Sequence, residues 1–271
     1  MSIVDNKTLD PNLVVGVNED LQPTKSRIMG SLSYTASFLG GCVSIGTFSM
    51  GSALIGTLTI AQAILAMTIG CLVIAIALVL IGNAGHKYGM PYVVQLRSSF
   101  GTTGVKIPGV LRGLPAIVWF GFQSWVGAGA INSCFKILWG FDNLPVVFGL
   151  FTLLQVGLAI KGFHGIKWLE NFSCVFIVAI LAYMLYVVKT KFAVDISASF
   201  ANVKGTWGMP FWAATTSFLG IYSTMIINAS DYSRNLKEDI RPVKTGSIYT
   251  IAILPVTLFM GLIGLLVTAA T

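Results

Sequence analysis

The stretch IMGSLSYTASFLGGCVSIGTFSMGSALIGTLTIAQAILAMTIGCLVIAIALVLIGNAG, residues 28–85, contains no Asp, Glu, Lys, Arg or His over 58 positions. At 1.5 Å rise per residue, an apolar helix of about 20 residues crosses a hydrocarbon core about 30 Å thick. The stretch therefore holds two spans, divided near Gly56-Thr57. Charge-free windows recur at 113–135, 143–160, 171–188, 205–230 and 245–271, each sufficient for one span. Seven spans follow. Helices buried in a soluble core carry apolar runs of only about 10–14 residues, too short to account for the series.

Composition agrees. Of 271 residues, 55% are hydrophobic and 10% charged, where a soluble domain carries about 25% charged residues. That excludes an ordinary soluble enzyme, a disordered regulator and a nucleic-acid binder. The net charge of +7 sits in short clusters between apolar blocks, not in the patch or stripe that nucleic acid requires. The first 30 residues include Asp5, Asp10, Pro11, Glu19, Asp20 and Pro23. They lack the apolar core and small-residue cleavage site of a signal peptide and read as a solvated tail.

Loop Lys and Arg residues set orientation. Thirteen fall on the side of the N-terminal tail; only Lys136, Lys189, Lys191 and Lys204 fall on the other. The N-terminus is thus expected in the cytoplasm. The organisation reads as a cytoplasmic tail (1–32), a first group of five helices (33–188), an external loop (189–207) and two further helices (208–271). The helices are expected near 33–55, 58–84, 108–136, 144–162, 167–188, 208–229 and 247–270. The connection 85–107 is polar, with room for a short interfacial helix. Pro115 and Pro255 lie deep enough to kink their helices. Cys42, Cys71, Cys134 and Cys174 fall singly inside spans and read as small hydrophobes. Asp231, Arg234 and Glu170 read as interfacial anchors, Asn83, His86 and Lys87 as solvated-loop residues, and Arg112 as one of the positive-inside charges without a special role.

The first helix carries Gly41, Gly46, Gly51 and Gly56 at five-residue intervals. A packing seam places small residues four apart, whereas steps of five walk around the helix. Two readings stand: local unwinding, which Gly tolerates and transporters use to expose backbone groups at the bilayer midplane, or the ordinary abundance of Gly in membrane helices. The sixth helix, FLGIYSTMIINASDYSR, is a weaker echo.

The third helix reads IVWFGFQSWVGAG, with Trp119 and Gln123 four apart and so on one face. The Gln amide offers one acceptor and two donors, complementary to adjacent N–H and C=O groups of a pyrimidine, purine or hydantoin ring. Trp119 offers a plate for stacking, worth about 1–3 kcal/mol per base. The alternative is that Trp119 packs and Gln123 bonds a neighbouring helix. Phe122 and Trp125 point elsewhere.

NAGHKYGMPYVVQLRSSFG (83–101), LRGLPAIVWFGFQSWVGAG (111–129), GIKWLENFS (165–173) and INASDYSR (227–234) together resemble the nucleobase:cation symporter-1 family, the cytosine, uracil, purine, allantoin, hydantoin and thiamine-type permeases. The resemblance implies an all-α, leucine-transporter-like fold of five plus five inverted-repeat helices with two extra, and a secondary active transporter in the plasma membrane that is not an enzyme. No cofactor is implied beyond a coupling ion, Na⁺ or H⁺. The lack of a carboxylate inside the spans leans toward Na⁺. By resemblance, Trp119 stacks on the substrate ring and Gln123 hydrogen-bonds it. Ser44 is the polar residue at the helix 1 break, Gly220 a helix 6 backbone contact, and Tyr222 stands where members commonly have Trp. Gly40 and Val43 supply backbone carbonyls to one half of a sodium site. The family's remaining sodium ligands, on helix 8, lie beyond Thr271. The chain is therefore expected to be the N-terminal seven helices of a protein of about twelve, needing the others to transport. A passive facilitator for small polar solutes, or a non-transporting fragment, is the alternative. The partners implied are a nucleobase-like small molecule and the lipid bilayer, with no nucleic acid.

Overall fold

The computed structural model describes residues 21–24, 27–160, 163–240 and 242–270, and within these all side chains except those of 163–175, 178, 242 and 243. Most of the tail, and the side chains of Lys161, Lys167, Glu170, Cys174 and Arg241, lie outside the described set. The described residues form α1 (Ser31–Cys42), α2 (Ile45–Ser52), α3 (Ile60–Tyr88), α4 (Tyr92–Gly104), α5 (Lys106–Trp139), α6 (Leu144–Ile160), α7 (Phe163–Lys191), α8 (Ala193–Ala201), α9 (Met209–Ile227), α10 (Ala229–Ser233) and α11 (Pro242–Ala270). Every charge-free window carries helix: the first as α1 and α2 in succession and then α3, the others as α5, α6, α7, α9 and α11. Among the described residues, three stretches, Ile60–Tyr88, Lys106–Trp139 and Lys244–Ala270, are long and apolar enough to cross a membrane unbroken. Among the described residues the sole β-pairing is a parallel bridge between Met29 and Leu236.

The break in the first span has a local cause. Val43 (φ −73°, ψ 100°) and Ser44 (φ −138°, ψ 138°) are both extended, a conformation that needs no glycine. The Val43 N–H closes the end of α1 on the Gly40 carbonyl, and the Ser44 side chain accepts the Gly46 N–H as N-cap of α2. Serine is a favoured residue for that position because its oxygen satisfies a helix-start N–H. The spaced glycines have separate uses. Gly56 takes φ +74°, in the left-handed region, where the chain turns from α2 toward α3. A capping box between Thr59 and Gln62 then starts α3.

Gly51 is a packing residue: a Cβ there would stand 2.0 Å from the Gly261 carbonyl oxygen of α11. Gly264 repeats the arrangement in reverse, its missing Cβ 2.1 Å from the Phe48 carbonyl oxygen. Two backbones thus meet without side chains between them, as small residues permit in membrane helices. Around this seam lies a core in which Cys71, Ile74 and Leu78 of α3 meet Tyr249, Ile253 and Met260 of α11. Tyr34 of α1 and Tyr249 share a 2.7 Å hydroxyl–hydroxyl hydrogen bond within it.

Other boundaries differ from expectation. α3 continues to Tyr88, so His86 sits in its last turn, 7% exposed, with its Nε2 3.0 Å from the Lys237 carbonyl oxygen; it is no solvated-loop residue. The segment expected as an external loop contains α8, docked through the Ser199 hydroxyl on the Ala269 carbonyl at 2.7 Å. α9 passes unbroken through Gly220 and stops at Asn228. α5 and α11 run on through Pro115 and Pro255.

Gly51→Ala forces a methyl group onto backbone and is expected to destabilise by about 1–3 kcal/mol, the usual cost of overpacking. Gly41→Ala, where a Cβ meets nothing within 4 Å, should change little. Thermal unfolding of the purified variants in detergent compares the two, and equal melting temperatures would contradict the seam.

Candidate functional site

α5 presents two faces. On one, Ser124, Ala128 and Asn132 are buried; the Ser124 hydroxyl donates to Gln155 Oε1 of α6 at 2.7 Å. On the other, Arg112, Ala116, Trp119 and Gln123 fall at helical spacing along one wall of a cavity of about 170 Å³. The facing walls are Gly41 and Ser44 at the first-span break, and Ile221, Tyr222, Thr224 and Met225 of α9. For scale, an engineered cavity of about 150 Å³ takes up benzene. The space suits one flat ring.

Trp119 and Gln123 both line this space, with different neighbours. Trp119 is half-buried, edge-on to the Phe122 ring at 5.9 Å. Phe122 packs on the Trp in this way but is exposed and does not line the cavity. Trp125 packs instead on Phe148. The Gln123 amide is exposed and has no hydrogen-bond partner among the described residues. The polar link from α5 to α6 is made by its neighbour Ser124, so Gln123 remains available.

Ser44 lines the cavity while capping α2. Tyr222 lines it too, but its hydroxyl turns away, donating to the Cys42 carbonyl at 3.3 Å and lying 3.4 Å from Thr47 Oγ1 and 2.9 Å from Thr257 Oγ1. Gly220 is not among the lining residues; its carbonyl accepts the Ser223 hydroxyl at 2.7 Å. Gly40 and Val43 lie at the carbonyl end of α1. The Gly40 carbonyl takes one hydrogen bond, from Val43 N–H at 3.2 Å, and a carbonyl oxygen has a second lone pair to offer. Neutral backbone oxygens at a broken helix end are ligands suited to Na⁺.

Two contributors were not legible as site residues. Gly46 allows the close approach of α2: a Cβ there would lie 3.0 Å from Ile221 Cδ1 and 3.5 Å from Trp119 Cη2. Its membership of the five-residue glycine series was the available signal. Arg112 lines the cavity and donates from Nε to Asn228 Oδ1 at 3.1 Å, at the joint between α9 and α10.

That joint explains two of the motifs. In 227–234, the Ser230 and Ser233 hydroxyls donate to the Ile81 and Gly82 carbonyls of α3 at 3.1 and 2.6 Å. Asp231 accepts the Tyr92 N–H at 2.9 Å, anchoring protein to protein. In 83–101, Gly85 lets α10 approach, since a Cβ would meet the Ser230 carbonyl oxygen, and Gln95 Nε2 donates to the same Ile81 carbonyl at 3.2 Å.

The sequence profile of the family described as "Permease for cytosine/purines, uracil, thiamine, allantoin" matches residues 22–271. The chain belongs to this family, the nucleobase:cation symporter-1 family. It is 28% identical to a hydantoin permease of Microbacterium maritypicum over 82% of this chain and 46% of that one. It is 31% identical to a putative allantoin permease of Escherichia coli (strain K12) over 81% and 50%. Among solved structures it resembles a nucleobase-cation-symport-1 family transporter in a closed conformation with bromovinylhydantoin bound, at TM-score 0.82 and 25% identity, over 92% of this chain and 57% of that one. The chain spans about half the length of the curated relatives it matches. Its fold is the leucine-transporter-like fold.

Partial burial pushes the Asp231 carboxyl above its ordinary range, and the Tyr92 N–H and the charges of Arg234 and Arg112 draw it part of the way back. A carboxyl raised on folding binds more protons folded than unfolded, so its ionisation makes stability fall as pH rises through the window just above about 4. Asp231→Asn keeps an acceptor for Tyr92 and removes the charge. It is expected to melt at or above the native temperature at neutral pH and to flatten the slope in that window. Asp231→Ala strands the N–H and should cost about 1–3 kcal/mol. Melting curves across pH check the ordering.

Proposed function

We propose that this permease is a secondary active transporter that imports a nucleobase or related planar N-heterocycle, of cytosine, purine, uracil, allantoin, hydantoin or thiamine type, by cation symport with alternating access. The observation that carries the reading is the unpartnered Gln123 amide four residues from Trp119, facing a broken helix across a space sized for one ring. Trp119 stacks on the ring, Gln123 reads its N–H and C=O edge, and the Tyr222 ring closes the far wall beside Ser44. Gly220, outside the cavity lining but next to Ile221 in α9 and with nothing within 4 Å of where a Cβ would stand, adds a helix backbone contact in this reading.

The cation is Na⁺ in this reading, with Gly40 and Val43 carbonyls as the ligands this chain provides. Bound there, Na⁺ supplies positive charge against the carbonyl end of α1. The relatives' names support the substrate class: hydantoin, allantoin and purine-uracil permeases. The protein sits in the plasma membrane with its N-terminus in the cytoplasm, supported by the distribution of Lys and Arg.

Trp119→Ala and Gln123→Ala are each expected to weaken binding about ten-fold or more, from lost stacking of about 1–3 kcal/mol and a lost hydrogen bond, without reducing the amount of protein in the membrane. Competition by allantoin, uracil, cytosine and hydantoins for labelled uptake identifies the ring. Uptake should saturate and accumulate only with a cation gradient. Flux that equilibrates without accumulating would identify a facilitator, and binding that survives both substitutions would place the site elsewhere.

A further inference from the structure

The Tyr222 hydroxyl joins four helices. Tyr222 is 2% exposed, and Thr47 and Thr257 are fully buried. Its proton goes to the Cys42 carbonyl at the end of α1, 3.3 Å away. The carbonyl can only accept, so the Tyr oxygen is left to accept from Thr47 of α2 and Thr257 of α11, at 3.4 and 2.9 Å. A phenol has the one donor and two acceptor positions this fork requires. The fork spans the break: one partner lies on the helix before it and one on the helix after it. The same residue is among those that line the cavity.

We propose that the Tyr222 hydroxyl is the positioning group that sets the first-span break, and so couples a ligand against its ring to a cation at the carbonyl end of α1. This rests on the transport reading above. The phenol takes no part in reading the ligand edge, since all its hydrogen-bonding capacity is used inside the protein. A ligand that shifts the ring moves the hydroxyl, and the hydroxyl holds the Cys42 carbonyl one residue from Val43 and two from Gly40. A linkage of this kind is reciprocal: the cation strengthens ligand binding by the factor by which the ligand strengthens cation binding.

The test uses the full protein as encoded, with allantoin, uracil and bromovinylhydantoin as probes, and reads tryptophan fluorescence with and without Na⁺. Tyr222→Phe keeps the ring. Whatever its effect on Na⁺-free affinity, it is expected to lose about five-fold or more of the enhancement by Na⁺. Thr257→Val should do the same in part, and Thr257→Ser should restore it. An enhancement that persists in Tyr222→Phe overturns the proposal. A second readout needs no ligand. In proteins retaining only Cys42 or only Cys71, N-ethylmaleimide should label Cys42 faster when Tyr222→Phe is added and Cys71 at an unchanged rate. Equal acceleration of both, or of neither, overturns the clamp. If the unsubstituted protein binds none of the three probes, the transport reading falls, and the labelling still decides the clamp.

Discussion

In a hydrocarbon core no water is present to satisfy a backbone that leaves the helix, so every freed N–H and C=O has to find a partner in the protein. At Val43–Ser44 the chain leaves the helix in the middle of its first span. The Val43 N–H turns back to Gly40, the Ser44 side chain takes the Gly46 N–H, and Tyr222 reaches across from α9 to the Cys42 carbonyl. Polar side chains are scarce in these spans, and several of them gather here. The cavity lies where they do, because a break is a place where both backbone and side-chain polarity can face an interior space. The Trp119–Gln123 face of α5 is the third wall of that space.

A broken helix is also poorly held. α2 has eight residues, far below the length at which an isolated helix is stable, so its position depends on tertiary packing. The Gly51–Gly261 and Phe48–Gly264 approaches supply it. With no side chain between the backbones, α2 settles against α11 closely enough for Thr257 and Thr47 to meet the same phenol. The seam and the clamp are thus successive consequences of one approach. On the other side, the missing side chain at Gly46 lets α2 lie close to Ile221 and Trp119.

The spans were legible because loss of charge over 18 or more residues is a direct consequence of the solvent. The Trp119–Gln123 pair was legible because residues four apart must share a helix face. Long-range partnerships were not. Arg112 and Asn228 are 116 positions apart, and Tyr222 stands 175 from Thr47. Each looks like an isolated polar residue until the helices are placed. His86 was misread because Gly-His-Lys-Tyr-Gly has the composition of a loop; its burial comes from the segment around Lys237, far along the chain. The five-residue glycine series left unwinding and ordinary glycine abundance open, and the break itself lies at two residues that are not glycine. An extended valine followed by an N-cap serine is too common a pair to be noticed without the backbone angles.

Tyrosine at position 222 resolves a conflict that tryptophan would meet differently. Both offer an aromatic face to a ligand. An indole N–H donates one hydrogen bond and accepts none, so it could satisfy the Cys42 carbonyl yet would leave the Thr47 and Thr257 hydroxyls without that common acceptor. A phenol gives up some stacking area and gains two acceptor positions. In this chain, with both threonines fully buried, the loss of a shared acceptor counts against the indole. The identity of residue 222 is therefore set from behind, by the helices that hold the break, as well as from the front, by the ligand. Selectivity of this site for one heterocycle over another has to be sought first in residues free of such obligations, Gln123 above all.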